Sequence, residues 1–310
     1  MPRSLLIASP RGFCAGVRRA VNTVDEVLKS ANGRSVYVFN EIVHNTFVVD
    51  EFRRRGVQFV TDIAEVPPCS ILIFSAHGVA QSVENDALAR GCTIVDATCP
   101  LVAALHTKAI NLAKQGVSIA VIGHPHHPET IGTLGRLPDG SSFAVTNSAD
   151  DVAELPALPS PVAALVQTTL SPGVVEPVFA KLRGRFPGIE LAGGCCYATE
   201  NRQKAVALIA GECDAVVIVG SPHSSNSREL CKVAEKLGTK ALMVDNADSF
   251  DISAVANVET LGLSAGASAP PELVKQVIDK LIAAGFANIR ELSVAEEEVA
   301  FALPSALKRL

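Results

Sequence analysis

Three cysteines occupy the same place in three similar stretches of the chain, and together their thiolates could bind a metal centre. Cys14, Cys99 and Cys196 each follow a small or turn-forming residue, and each precedes a pattern typical of a helix. A helix N-terminus lowers the pKa of a thiol and offers N–H groups to a bound sulfur. Because three thiolates are one ligand short of a closed four-cysteine site, the pattern predicts a centre with one position open to substrate.

The residue types alone leave the identity of this centre open. Soft thiolates suit an iron–sulfur cluster and also zinc, and the chain has neither a Cys-x-x-Cys pair nor a ferredoxin cysteine run. Two alternatives therefore stand beside a redox enzyme: an iron–sulfur sensor without turnover, and a zinc hydrolase with water as the fourth ligand. Among the other cysteines, we expect Cys69, Cys92, Cys213 and Cys231 to be small, buried apolar residues. The sequence assigns no role to Cys195.

A second group of polar residues closes apolar strand-like stretches. It consists of His44, His77, His127, Ser224, Ser225, Asn226 and Ser268. Imidazoles, hydroxyls, an amide and backbone N–H groups can bind a diphosphate in a dry pocket without an arginine clamp. Glu129 stands two residues after His127, where burial and nearby anions would raise its pKa and suit it to proton transfer. Thr168 is placed to bind a substrate hydroxyl or to relay a proton.

These residues recur in step with the cysteines. A polar loop follows each cysteine after about thirty residues and a second after about seventy, which indicates a repeat of about ninety residues. Short apolar stretches alternate with helical patterns from Leu5 to Ala284, as in α/β proteins with parallel sheets. We therefore predict three similar α/β lobes with mainly parallel sheets in a pseudo-threefold arrangement around a central site that the three cysteines share. The predicted ranges are 15–98 for the first lobe, 99–195 for the second, 1–14 with 196–288 for the third, and 289–310 for a C-terminal tail.

Composition excludes several other classes of function. The 310 residues carry a net charge of −5, so no basic field favours nucleic acid or an anionic membrane. The chain has no Trp and only 2 Tyr, which disfavours stacking platforms for single strands. No apolar run is long enough for a membrane span, and the eight cysteines are too sparse for a disulfide scaffold. We expect reduced thiols and a cytoplasmic location.

The motifs, in their order along the chain, resemble those of the 4-hydroxy-3-methylbut-2-enyl diphosphate reductase family, also called LytB. The resemblance covers about Leu5 to Ala269. It rests on the sequences PRGFCAGV, VHN, SAHGV, DATCPLV, HPE, QTTLS, CYAT, SSNS and AGASAP.

The resemblance implies an enzyme for the last step of the non-mevalonate isoprenoid pathway. That reaction is the reductive dehydroxylation of an allylic diphosphate to isopentenyl and dimethylallyl diphosphate. Cys14, Cys99 and Cys196 would hold one 4Fe–4S cluster per chain, with one iron not ligated by cysteine. The diphosphate would bind to His44, His77, His127, Ser224, Ser225, Asn226 and Ser268. Glu129 would supply a proton, and Thr168 would lie near the reacting hydroxyl. A ferredoxin or flavodoxin-type carrier would deliver electrons one at a time, and neither nucleic acid nor a membrane is an expected partner.

Overall fold

The computed structural model describes residues 3–310, which form short strands and helices in alternation. The strands are β1 Ser4–Ser9, β2 Val36–Phe39, β3 Gln58–Val60, β4 Ile71–Phe74, β5 Thr93–Asp96, β6 Ser118–Ile122, β7 Phe143–Thr146, β8 Val162–Val166, β9 Glu190–Leu191, β10 Ala215–Val219, β11 Lys240–Val244, β12 Thr260–Ala265 and β13 Asn288–Ser293. The helices are α1 Ala15–Ser30, α2 Thr46–Arg54, α3 Gln81–Ala89, α4 Pro100–Lys114, α5 Pro128–Leu134, α6 Pro172–Arg185, α7 Tyr197–Ala210, α8 Ser225–Lys236 and α9 Pro271–Ala283. Across residues 3–310, no helix combines the length and the apolar character that crossing a membrane requires.

The strands form three parallel sheets, as the alternation of short apolar strands and helices predicts. One sheet has five strands in the order β11-β10-β12-β1-β13, and two have four strands in the orders β3-β2-β4-β5 and β7-β6-β8-β9. The central strands β4, β6, β8 and β10 are buried along their whole length. Such burial on both faces requires helices on both sides of each sheet, so each sheet with its helices is one α/β lobe.

The five-stranded sheet belongs to a compact unit made of residues 3–15, 44–48 and 196–300. Alternate side chains of its strands pack into two separate hydrophobic cores, because successive side chains of a strand point to opposite faces of the sheet. Leu5 packs with α9 on one face, and Leu6 packs with α7 and α8 on the other. The edge strand β13 pairs with β1 from Ser4↔Asn288 to Ser9↔Ser293. The stretch from residue 289, which the sequence indicates as a tail, therefore contributes a strand to this lobe.

The two four-stranded sheets belong to a second compact unit, made of residues 16–43, 49–195 and 301–310. In the β6–β9 sheet, Leu165 packs with α4 on one face, while Val166 packs with α6 on the other. In the β2–β5 sheet, Phe39 and Phe74 pack with Ala87 of α3. The exact lobe boundaries given above remain predictions.

Each predicted site residue lies beyond the carboxyl end of a strand, where ligands bind in parallel α/β sheets. Cys14 follows β1, His44 follows β2, His77 follows β4, Cys99 follows β5, His127 and Glu129 follow β6, Thr168 follows β8, Cys196 follows β9, Ser224 to Asn226 follow β10, and Ser268 follows β12.

Candidate active site

Each of the three predicted cysteine ligands stands at the start of a helix. Cys14 immediately precedes α1, Cys99 is the N-cap of α4, and Cys196 is the N-cap of α7. The Cys196 sulfur accepts a hydrogen bond from the backbone N–H of Thr199 at 3.4 Å. The backbone N–H groups of the first helical turn can donate hydrogen bonds to a sulfur at such a position.

In the first compact unit, polar contacts join the loops that carry two of these cysteines. The backbone N–H of Cys14 donates to the Ala267 carbonyl at 3.2 Å, and the N–H of Ala267 donates to Asn226 Oδ1 at 2.8 Å. Asn226 Nδ2 in turn donates to Thr199 Oγ1 at 3.5 Å, and this hydroxyl lies 3.3 Å from Cys196 Sγ. The side chain of Asn226 therefore ties the loop beside Cys14 to the helix that begins after Cys196.

The predicted anion-binding residues of this unit are brought together by the same loops. Ser268 Oγ donates to the backbone carbonyl of His44 at 3.0 Å, although the two residues are far apart in sequence. Ser224 caps α8 by accepting from the backbone N–H of Ser227 at 3.3 Å. The four predicted donors Ser224, Ser225, Asn226 and Ser268 are buried. The set offers hydroxyls, an amide and a helix N-terminus, which are donors suited to an anion in a site poor in water.

The second compact unit contains a carboxyl group that is almost completely buried. Glu129 lies in the first turn of α5 and is only 2% exposed. Thr168 donates hydrogen bonds to both carboxyl oxygens of Glu129: its backbone N–H donates to Oε1 at 2.6 Å, and its hydroxyl donates to Oε2 at 2.9 Å. Burial raises the pKa of Glu129 to about 7, although both hydrogen bonds from Thr168 oppose the rise. Near neutral pH this carboxyl therefore exchanges a proton readily.

Two predicted histidines lie beside this carboxyl in the same unit. His127 is the N-cap of α5, and its Nδ1 accepts from the backbone N–H of Glu129 at 3.2 Å. Its ring meets the ring of His77 edge to face, with ring centres 5.7 Å apart. His77 Nδ1 lies 3.4 Å from the Ser75 hydroxyl. The loops after β4 and β6 thus bring the two imidazoles together, and the backbone of Glu129 contacts one of them.

Cys99 is linked to the His77 loop through the backbone. Its N–H donates to the Ala76 carbonyl at 3.0 Å. Gly78 follows with a φ of +75°, and a Cβ atom there would lie 2.5 Å from Cε1 of His106 in α4. The buried His106 ring thus packs directly under this loop, and its pKa falls to about 4 because of burial and then the charge of Arg136. We interpret His106 as a structural residue, as its helical position suggests.

The structure thus groups the predicted site residues into two sets, each within one compact unit. The first is Cys14, His44, Cys196, Ser224, Ser225, Asn226 and Ser268, and the second is His77, Cys99, His127, Glu129 and Thr168. Among residues 3–310, no three or more His, Cys, Asp or Glu side chains are grouped as a site for a metal ion.

Sequence patterns alone miss some contributors to these sets. Thr199 contacts both Cys196 and Asn226, and its only signal is its place in the first turn after the cysteine. Among the other cysteines, Cys92 is buried as expected, but Cys69 is exposed and has a φ of +64°. The expectation for Cys69 is wrong because the residue lies in a turn before β4 rather than in the strand itself. Cys195 is half-buried, and its sulfur donates to the Leu170 carbonyl at 2.7 Å.

Comparisons with known proteins agree with the motifs. The family model described as LytB protein matches residues 5–282. The chain is 45% identical to the 4-hydroxy-3-methylbut-2-enyl diphosphate reductase of Chromobacterium violaceum, and the match covers all of both chains. It is also 45% identical to the enzyme of that name from Methylibium petroleiphilum, over 98% of this chain and 92% of the relative.

A solved structure shows the same fold. It is the E-1-hydroxy-2-methyl-but-2-enyl-4-diphosphate reductase from Plasmodium falciparum, which matches with a TM-score of 0.94 and 32% identity. The match covers 100% of this chain and 98% of that one. Sequence and fold agree over nearly the whole length, and the chain belongs to the LytB family.

Proposed function

We propose that this protein catalyses the reductive dehydroxylation of 4-hydroxy-3-methylbut-2-enyl diphosphate. The products would be isopentenyl and dimethylallyl diphosphate, the last step of the non-mevalonate pathway. Relatives that match the whole chain carry this reductase name, and one solved relative is described as the terminal enzyme of that pathway. Within the chain, the observation that carries the proposal is the buried Glu129 carboxyl, held by two bonds from Thr168, whose pKa lies near 7.

We further propose that Cys14, Cys99 and Cys196 hold one 4Fe–4S cluster, with one iron that no cysteine binds. The donor set fits such a group, because each sulfur belongs to a residue at a helix start and Cys196 already accepts an N–H hydrogen bond. When bound, the cluster would supply electrons one at a time and a Lewis-acidic iron. The zinc and sensor alternatives share these thiolates but do not account for the buried carboxyl beside two histidines.

The diphosphate is proposed to bind through the remaining polar residues. They are His44, His77, His127, Ser224, Ser225, Asn226 and Ser268. Hydroxyl and amide donors that are already fixed by their own loops lose little freedom when they bind an anion, so they orient the substrate at low entropic cost. Anchoring the diphosphate in this way would leave the hydroxyl-bearing end of the substrate for the reaction.

Glu129 is proposed as the proton donor for the departing hydroxyl. Two electrons and two protons convert the allylic alcohol into the alkene and water. The first proton allows the C–O bond to break with water as the leaving group, and the second ends on an allylic carbon. Thr168 holds the carboxyl in one orientation, and its hydroxyl is proposed to lie near the reacting hydroxyl of the substrate. A one-electron carrier of the ferredoxin or flavodoxin type is the proposed source of electrons.

The test is anaerobic turnover. The protein is purified without oxygen, its iron and sulfide are determined, and oxidation of reduced methyl viologen is followed with and without the substrate. We expect substrate-dependent oxidation with both isoprenoid diphosphates formed. An iron–sulfur cluster without substrate-dependent oxidation would refute the function and favour a sensor, whereas colourless zinc protein would refute the cluster.

A further inference from the structure

The largest of the almost fully buried side chains in the first compact unit is a charged one. Arg202 lies in α7, less than two turns after Cys196, and is only 1% exposed. It forms an ion pair with Glu297, with Nη1 3.0 Å from Oε1 and Nη2 3.2 Å from Oε2. The Glu297 carboxylate also accepts from Asn201 Nδ2 at 3.1 Å. Glu297 comes from the C-terminal stretch that the sequence indicates as a surface tail.

The remaining N–H groups of Arg202 bind backbone carbonyls beside two proposed cluster ligands. Nε donates to the carbonyl of Gly12 at 3.0 Å, two residues before Cys14. Nη1 donates to the carbonyl of Ala198 at 2.9 Å, two residues after Cys196. One planar guanidinium therefore spans both cysteine-bearing segments and fixes their separation.

Gly12 is held on its other side as well, so its carbonyl has little freedom to turn away. Its N–H donates to the Ala265 carbonyl at 3.1 Å, and its φ of +66° is one that other residues rarely adopt. A Cβ atom at this position would lie 3.2 Å from the Ala269 carbonyl oxygen. The loop before Cys14 is thus clamped between the sheet and Arg202.

The carboxylate is what allows a guanidinium to occupy this place. A buried cation without a counter-charge is strongly unfavourable, and removing one partner of a buried pair leaves the other uncompensated. Glu297 therefore allows Arg202 to stay buried while it binds both cysteine-bearing segments.

We propose that Arg202 and Glu297 are positioning residues that set the spacing of Cys14 and Cys196 and thereby retain the cluster. The inference rests on the proposed function, because it takes these cysteines as cluster ligands. It assigns the C-terminal stretch a role in holding the metal centre. Changes to residues around metal ligands typically weaken metal retention about 10- to 100-fold.

The test compares Glu297→Gln and Arg202→Lys with Glu212→Gln, which changes the exposed Arg290–Glu212 ion pair of the same unit. Each protein is loaded with iron and sulfide without oxygen. A chelator is then added, and the rate at which the cluster absorbance is lost is measured the same number of degrees below each variant's own melting temperature. This choice corrects the comparison for differences in overall stability. We expect both test variants to lose the cluster about tenfold faster or more, and the control to match the wild type. After one-electron reduction with dithionite, the test variants should also show a broadened electron paramagnetic resonance spectrum.

Arg202→Lys sharpens the test because it keeps the positive charge. A single ammonium cannot span Glu297 and both carbonyls, so we expect only partial recovery of cluster lifetime compared with Arg202→Met. Cluster lifetimes and spectra equal to the wild type in Glu297→Gln and Arg202→Lys would overturn the inference while leaving the proposed function intact. Failure of the wild-type protein itself to load a cluster would instead refute the proposed function.

Discussion

The raised pKa of Glu129 predicts how turnover depends on pH. A carboxyl that moves from a pKa of 4.5 to about 7 prefers its neutral form by about 3 kcal/mol. At pH 7 about half of the molecules then carry the acid, against roughly 0.3% for an ordinary glutamate. If Glu129 gives the proton, kcat/KM, which reports the pKa of the free enzyme, falls about tenfold for each pH unit above 7.

Substitution of Thr168 shifts that pH dependence in a direction set by the structure. Both hydrogen bonds from Thr168 favour the carboxylate and so lower the pKa of Glu129. Thr168→Val removes the bond from the hydroxyl and keeps the bond from the backbone, so the pKa rises further. Because a hydrogen bond to a charged group is worth about 1.5 kcal/mol or more, we expect the fall in turnover to move up by about one pH unit.

The assay is anaerobic oxidation of reduced methyl viologen between pH 5.5 and 9, with Thr133→Val as the matched control. The buried Thr133 hydroxyl donates to the backbone carbonyl of Glu129 at 2.8 Å rather than to its carboxyl, so the control should keep the wild-type midpoint. Glu129→Gln should reduce turnover by about 10²- to 10⁴-fold and abolish the pH dependence. A midpoint below pH 6, or a downward shift in Thr168→Val, would refute the assignment of the proton donor.

The free energy of unfolding should also depend on the ionisation of Glu129, and it can be measured without catalysis. Because the folded-state pKa of Glu129 lies above its unfolded value, its favourable contribution is complete below pH 4.5 and is lost as pH rises through about 7. Glutamine can keep both contacts with Thr168 and never ionises. Glu129→Gln should therefore unfold at higher urea than the wild type at pH 8, by up to about 3 kcal/mol, and with no gain at pH 4.5.

Three further substitutions test the cysteine, the histidine loop and the anion site. Cys99→Ser should abolish the brown iron–sulfur absorbance, while the exposed Cys69→Ser should keep it; an intact cluster in the first would exclude Cys99 as a ligand. Gly78→Ala should lower the free energy of unfolding in urea by about 2 kcal/mol or more, because backbone strain adds to the clash with the buried His106 imidazole of α4. Gly116→Ala, where φ is similar but the space is open, should lower it by only about 1 kcal/mol. His44→Asn should weaken substrate binding in calorimetry by about tenfold, and unchanged affinity would contradict its role.

Periodicity and strand composition predict the fold well where strands are apolar. The parallel sheets follow from short all-buried runs such as β10. The edge strand β13 is missed because it is mostly exposed and carries charged residues, so it has no apolar signature. It is formed through its hydrogen bonds with β1, which sequence composition does not encode.

The sequence of helix α5 is a weak predictor of a helix for a different reason. Its sequence contains Gly132 and two threonines, which are weak helix formers, and it spans only seven residues. It is stabilised by tertiary contact instead. A Cβ atom at Gly132 would lie 3.3 Å from the backbone of Gly78, so a larger residue would force the two segments slightly apart. Sequence indicated Glu129 as a proton donor but not the helix that buries it.

Motif spacing predicts which residues carry chemistry, but not what supports them. The role proposed for Arg202 depends on Glu297, which lies far away along the chain in a stretch that reads as solvent-exposed. An arginine in a helix and a run of glutamates are ordinary surface features by composition. Only the fold shows that one of these charges is buried against the other, since ion pairs between distant segments leave no periodic signal.

Burial shifts the pKa values of Glu129 and His106 in opposite directions, and both shifts favour the neutral form of the side chain. It raises the pKa of Glu129 to about 7 and lowers the pKa of His106 to about 4. A carboxylate fixed beside His127 would repel an anionic substrate, whereas a carboxyl that is half neutral at pH 7 does so much less. An added anion nearby would raise the pKa of Glu129 further, because like charges disfavour ionisation. The burial that suits Glu129 to the proposed role of proton donor therefore also reduces its repulsion of an anion.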